Sequence, residues 1–318
     1  MMRDTLIKLL EDNKKKIDNL KSQTAKVIVF GAGNTTALYE KSFEAEGIPV
    51  DGVIDNDPSK INKFILGKRV AIAKDAMNSY EKNNLLLIST AVDKTYHELS
   101  SWATKHGLCS CSVDEYIFAD RLDEIIECYD LFVDAESKRL YYQIIAWRLL
   151  HKKTDIPFPY GEQYFSYPEF CVLNPNEVFV DIGAYVGDSM ERYLMTHEGI
   201  VGKIYAFEPD ITNFKAMKYR VERLKKEWAL SDEQIKLIPY GVGRENAELA
   251  IVQDVQGLGN KMVEGDCLAE EKVHVVFLDD FFKDEKVDFL KADIESFEYD
   301  MLCGAEKIIR RDRPKIAV

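Results

Sequence analysis

The stretch VFVDIGAYVGDS, residues 178–189, constrains this 318-residue chain more than any other segment. Its first five residues read as a strand apolar on both faces. Gly183 and Gly187 interrupt the run, and a helical pattern follows. A strand buried on both faces belongs in a parallel sheet with helices above and below it. Glycine at such a turn lets backbone approach a ligand where a Cβ would clash, and the helix start adds N–H groups without intrahelical partners. The next apolar strand ends in YAFEPD, which sets Glu208 at its carboxyl end, 25 residues after Gly183. A carboxylate there can accept both hydroxyls of a ribose bound at a switch point of the sheet. The competing reading makes Glu208 a helix-start charge, since Pro209 and Asp210 look like an N-terminus. No third glycine and no Walker-type loop follow, so an adenosine without phosphates fits better than a dinucleotide or a nucleoside triphosphate.

The same alternation continues to the end of the chain. Strands are expected at 178–182, 203–207, 235–240, 287–292 and 315–318, with helices between the first three and two extra short strands, ELAIVQD and KVHVVFLDD, before Val287. Gly241 lies just past the third strand, where an adenine ring could rest on backbone; an ordinary turn glycine is the other reading. The fourth strand delivers Asp293, Glu295 and Glu298 to the sheet edge beside the same cleft. Asp293 and Glu295 are the candidate general bases for removing an acceptor proton, with a helix-capping Asp293 as the plainer reading. Grouped oxygen ligands would alternatively suit a divalent cation binding a diol, as magnesium does; no metal is assigned. His197 and His274 are read as surface or packing residues.

From about Glu177 to the end, the sequence resembles the FkbM family of methyltransferases. The resemblance rests on DIGAYVGD, FEPD, LDDFF at 278–282, KADIESFEYDMLCGA and the RPKI near the terminus. It implies a class I methyltransferase fold that uses S-adenosylmethionine, usually to methylate hydroxyl oxygens of sugars or other metabolites. By the match, Asp181, Gly183, Gly187 and Glu208 contact that cofactor, with Ala184, Asp188, Pro209 and Gly241 beside them. The chain departs from the family pattern at Ser296, which stands where a glycine is usual. It also stops at Val318, within the expected fifth strand, where similar enzymes run on through two more; the expectation is a fold either truncated there or completed otherwise.

The N-terminal part carries a weaker version of the same signals. KVIVFGAGNTTALYE joins an apolar strand to Gly31 and Gly33, with Thr36 where a dinucleotide motif takes glycine, and a second strand ends in Asp55. The segment is similar to nucleotide-binding domains of sugar-modifying enzymes. A nucleotide or nucleotide-sugar site at Gly31, Gly33 and Asp55 is the first reading, and Ser89 and Thr90 could line the same cleft. A non-binding Rossmann-like scaffold and an NAD-dependent oxidoreductase are the alternatives. Leu6, Leu10, Ile17 and Leu20 mark an amphipathic first helix. A helical connector follows the first domain, with one stripe at Leu122, Ile125 and Ile126 and another at Leu140, Ile144, Trp147 and Leu150, after a cap at Asp134. The expected organisation is two Rossmann-like α/β domains, 1–119 and 169–318, joined by a connector and loop at 120–168. No repeat relates the halves.

Composition sets the outer limits. Hydrophobic residues make up 46% and charged residues 31%, the profile of a globular chain. A net charge of −13 argues against nucleic acid as a partner, because such proteins neutralise phosphates with a basic face. No apolar run is long enough to cross a membrane, and the charged N-terminus does not read as a signal peptide. The six cysteines fit neither a zinc ribbon nor a redox pair, so reduced, buried thiols in a cytoplasmic protein are expected. The first functional reading is a methyltransferase acting on a saccharide or nucleotide-linked sugar. The alternatives are an NAD-binding oxidoreductase with a vestigial second domain and a non-catalytic nucleotide-binding scaffold.

Overall fold

A computed structural model describes residues 2–76, 83–152, 163–253, 260–263, 272–294 and 297–318. Glu295 and Ser296 lie outside the described residues, as does part of the loop 154–170. The chain divides into two compact units, residues 1–158 and 159–318.

The first unit holds strands β1 (Lys26–Phe30), β2 (Gly52–Asp55), β3 (Phe64–Ile65), β4 (Lys68–Ile72), β5 (Asn84–Ile88) and β6 (Cys109–Ser112), in the order β3-β4-β2-β1-β5-β6. All pair in parallel except β3 with β4. β5, NLLLI, is buried at every position because helices cover both faces. The helices are α1 (Met2–Gln23), α2 (Asn34–Leu38), α3 (Glu40–Ala45), α4 (Ala73–Ala76), α5 (Asp93–Lys105), α6 (Val113–Phe118), α7 (Leu122–Leu131) and α8 (Ala135–Leu150). Leu6, Leu10 and Ile17 are fully buried, so the first stripe is correct. Leu6 and Leu10 pack with Ile125, Tyr129, Ile145 and Leu149 of α7 and α8.

Two expectations fail in this unit. The α8 stripe is wrong: Ile144 and Leu150 are exposed, and the buried face is Ile145, Ala146 and Leu149. Apolar residues stand side by side along this helix, so periodicity cannot choose between adjacent faces. The cap itself is present, with Asp134 accepting from the Ser137 amide at 2.7 Å. Among the described residues the thiols are free, but only Cys111 is buried; Cys109 and Cys128 are exposed.

The second unit is built on β7 (Val178–Ile182), β8 (Lys203–Phe207), β9 (Ile235–Ile238), β14 (Phe289–Ala292) and β15 (Lys315–Ala317), all parallel, in the order β15-β14-β7-β8-β9. A second sheet, β10-β13-β11-β12, joins β10 (Gly241–Val242), β11 (Ala247–Gln253), β12 (Asn260–Val263) and β13 (Lys272–Val276). The helices are α9 (Asp188–Thr196), α10 (Ile211–Glu227), α11 (Leu278–Phe281), α12 (Glu298–Gly304) and α13 (Glu306–Asp312). Side-chain alternation along β7 feeds two cores. Phe179 packs with Met190, Tyr193 and Phe214 on one face. Val178, Val180 and Ile182 meet Leu278, Val287 and Met301 on the other. Burying a side chain of this size contributes about 2–3 kcal/mol. The mixed α/β architecture with parallel sheets is as the sequence implied.

Candidate active site

Strand register brings the second unit's distant motifs together. Ala292, Ile182 and Phe207 are paired neighbours across β14, β7 and β8. The residues that follow them, Asp293, Gly183 and Glu208, therefore leave the sheet side by side at its carboxyl edge. Connections from β7 run one way along the sheet, to β8 and β9, while β14 and β15 lie on its other side. The crevice at such a reversal is where open α/β sheets bind ligands.

The turn itself is tightly held. Gly183 has φ +69°, and a Cβ there would stand 2.1 Å from the Asp293 carbonyl oxygen. The Gly183 and Ala184 amides donate to the Phe207 carbonyl at 3.0 and 2.9 Å. Gly187, with φ +82°, caps α9, and Asp188 opens that helix with an exposed side chain. Glu208 locks the turn from the next strand: one carboxylate oxygen accepts the Tyr185 amide at 2.9 Å and the other the Asp210 amide at 2.9 Å. Glu208 is buried, and desolvation holds its carboxyl above the ordinary glutamate range, against the pull of those two amides. Pro209 follows, half-buried.

Asp181, expected at the ligand surface, stands beneath it, fully buried. Ser189 donates to its Oδ2 at 2.5 Å, and Lys291 Nζ lies 3.0 Å from its Oδ1. Lys291 is its cross-strand partner in β14, and the same ammonium donates to the Gly183 carbonyl at 3.0 Å. A buried lysine persists only with such a partner. The pair ties the strand to the glycine turn, and Asp181 supports the turn from below.

Asp293 is exposed at the end of β14. Its Oδ2 accepts a 2.5 Å hydrogen bond from the phenol of Tyr164, in the segment preceding β7. Burial, followed by the adjacent carboxylate, pushes the Tyr164 phenol well above its usual value, so it remains the donor. Beside Tyr164 opens a cavity of ≈ 420 Å³ flanked by Asp188, Glu191, Arg192 and Arg220. Gly241 stands in β10, paired with Val275 of β13. His274 is an exposed residue of that second sheet. His197 is a core residue, its ring stacked 4.0 Å from Tyr193. Among the described residues, no three His, Cys, Asp or Glu side chains converge as metal ligands.

Sequence reasoning missed Tyr164, Ser189 and Lys291. Lysine within the apolar run FLKA was the available signal for Lys291, since a charge in a strand buried on both faces requires a partner. Nothing local distinguishes Tyr164.

Residues 181–318 match the family model of the methyltransferase FkbM domain. The crystal structure of methyltransferase FkbM from Methylobacillus flagellatus KT has the same fold, with a TM-score of 0.55, 15% sequence identity, and coverage of 99% of this chain and 88% of that one. No curated protein matches. Residues 181–318 are thus similar to the FkbM methyltransferase domain.

Proposed function

We propose that this methyltransferase domain takes its methyl group from S-adenosylmethionine and transfers it to a hydroxyl oxygen of a sugar or related polyhydroxylated metabolite. The observation that carries this reading is the acidic edge of the sheet, where Glu208, Asp188 and Asp293 gather around the Gly183 turn. A carboxylate rim suits a sulfonium cation, and Glu208 retains lone pairs for a ribose diol beyond the two amides it accepts. The bound donor would supply an electrophilic methyl carbon.

The protein's own contribution is positioning and one proton. Gly183, Ala184 and Gly187 shape the turn, Asp181 and Lys291 hold it from below, and Glu208 orients the ribose. Asp293 Oδ1 is left by Tyr164 to take the proton that an alcohol must lose as its oxygen attacks. Much of the rate comes from holding that oxygen in line with the methyl group. The mixed acids, arginines and aromatic ring around the neighbouring cavity favour an acceptor rich in hydroxyls.

Titration of the full chain with S-adenosylhomocysteine tests the cofactor. Saturable binding that is lost in Glu208→Ala supports it; no binding by the wild type overturns it.

A further inference from the structure

The first unit repeats the second unit's edge geometry with a cation added and one carboxylate fewer. Phe30 is paired with both Ile54 and Ile88, so Gly31, Asp55 and Ser89 leave the sheet side by side, as Gly183, Glu208 and Asp293 do. The order β2-β1-β5 likewise reverses direction at β1. Gly31 has φ +116°, and a Cβ there would meet the Ser89 carbonyl oxygen at 2.6 Å. Asp55 accepts the Ala32 amide of the turn at 2.7 Å and the Asp57 amide at 2.8 Å, which is the same two-amide lock that Glu208 forms. No sequence repeat links the halves, so this is one physical solution reached with different residues.

The charges differ in one direction. Neutral Ser89 replaces Asp293, and Lys60 brings an ammonium to the turn, 3.2 Å from Asp55 Oδ2 and 3.4 Å from where a Gly33 Cβ would stand. Lys60 is about a quarter exposed, so its side chain is not sealed in the core. An edge with its carboxylate neutralised and a cation over the glycines no longer suits a cationic ligand. It suits phosphate.

We infer that the first unit binds a nucleoside diphosphate, free or as the carrier of a larger group, with the ribose at Asp55 and the phosphates between the Gly31–Gly33 turn and Lys60. The multiple negative charges of a diphosphate can draw the ammonium from Asp55, freeing the carboxylate for the ribose hydroxyls. A dinucleotide is disfavoured by Thr36. This fully buried residue occupies the position of the third glycine, and its side chain, which donates to the Gly31 carbonyl and Ser89 Oγ, fills the space that a glycine would leave for close helix–strand packing.

The test is calorimetry on the full chain with ADP, UDP, GDP, CDP and dTDP, the matching unphosphorylated nucleosides, and NADH. S-adenosylhomocysteine is titrated into the same samples, because the inference does not rest on the second unit's site. At least one diphosphate is expected to bind, to outbind its nucleoside at least tenfold, and to lose at least tenfold in Lys60→Gln. Lys60→Arg should retain it, and homocysteine-product binding should be equal in all three proteins. The inference is overturned if no diphosphate binds, if Lys60→Gln binds it as the wild type does, if the bare nucleoside binds equally well, or if NADH binds more tightly than every diphosphate.

Discussion

Tyr164 and Asp293 are 129 residues apart in sequence and 2.5 Å apart in space, phenol to carboxylate, at the mouth of the second unit's cleft. The bond fixes one carboxylate oxygen and leaves the other facing the cleft.

Removing that donor frees the Asp293 carboxylate from the orientation the bond gives it. In Tyr164→Phe, kcat should fall about tenfold, the scale of one lost hydrogen bond to a charged group. Affinity for S-adenosylhomocysteine should stay unchanged, because the bond lies on the acceptor side of the turn. An unchanged kcat would separate Tyr164 from the base.

Glu208 makes a pH-dependent prediction. Burial raises its carboxyl above the ordinary value of 4.5. Cofactor affinity that depends on the carboxylate should therefore decline as pH falls, starting above that value. Glu208→Gln should show a flat, weaker profile, because the amide cannot accept from both Tyr185 and Asp210. Calorimetry across pH 5–8 reads both.

Gly183→Ala places a methyl group against the Asp293 carbonyl at a positive φ. Strain and displacement should cost roughly 2–4 kcal/mol, lowering Tm and weakening S-adenosylhomocysteine together. A variant with wild-type Tm would show that the turn tolerates a Cβ.

Lys291→Met should destabilise by about 3–5 kcal/mol, because Asp181 then lies buried without its counter-charge. Adding Asp181→Asn should recover part of that loss in urea unfolding. Additive losses would mean that the two groups do not act as a pair.

In the first unit, Glu115 is held at about 2 against an ordinary 4.5. Desolvation works against this, but bonds and charges from His151, Lys16 and the Ser112 amide outweigh it. A depressed carboxyl stabilises the fold above its unfolded pKa and loses that effect as pH falls through the folded one. The contribution, about 3 kcal/mol, should be complete above pH 4.5 and fade toward pH 2. Unfolding of the wild type and Glu115→Gln across that range measures it.

Sequence alone determined the five strands of the second unit's parallel sheet, β1 and β2 of the first unit, and the glycine turns that end β1 and β7. Apolar runs and glycine punctuation are local, and parallel pairing of buried strands follows from them. Because register is a property of the whole strand, the meeting of Gly183, Glu208 and Asp293 was legible in outline too. Tertiary structure alone decided what those residues touch. Asp181 reads from the sequence like a ligand contact, yet it lies under the turn because Lys291 and Ser189 fold onto it. Tyr164 reaches Asp293 from a segment with no periodic signal of its own. On α8, adjacent pairs such as Ile144 and Ile145 left the buried face undecided until α1 and α7 packed against one of them. Each outcome depends on long-range packing, where burial and charge pairing choose among arrangements that local pattern leaves equal.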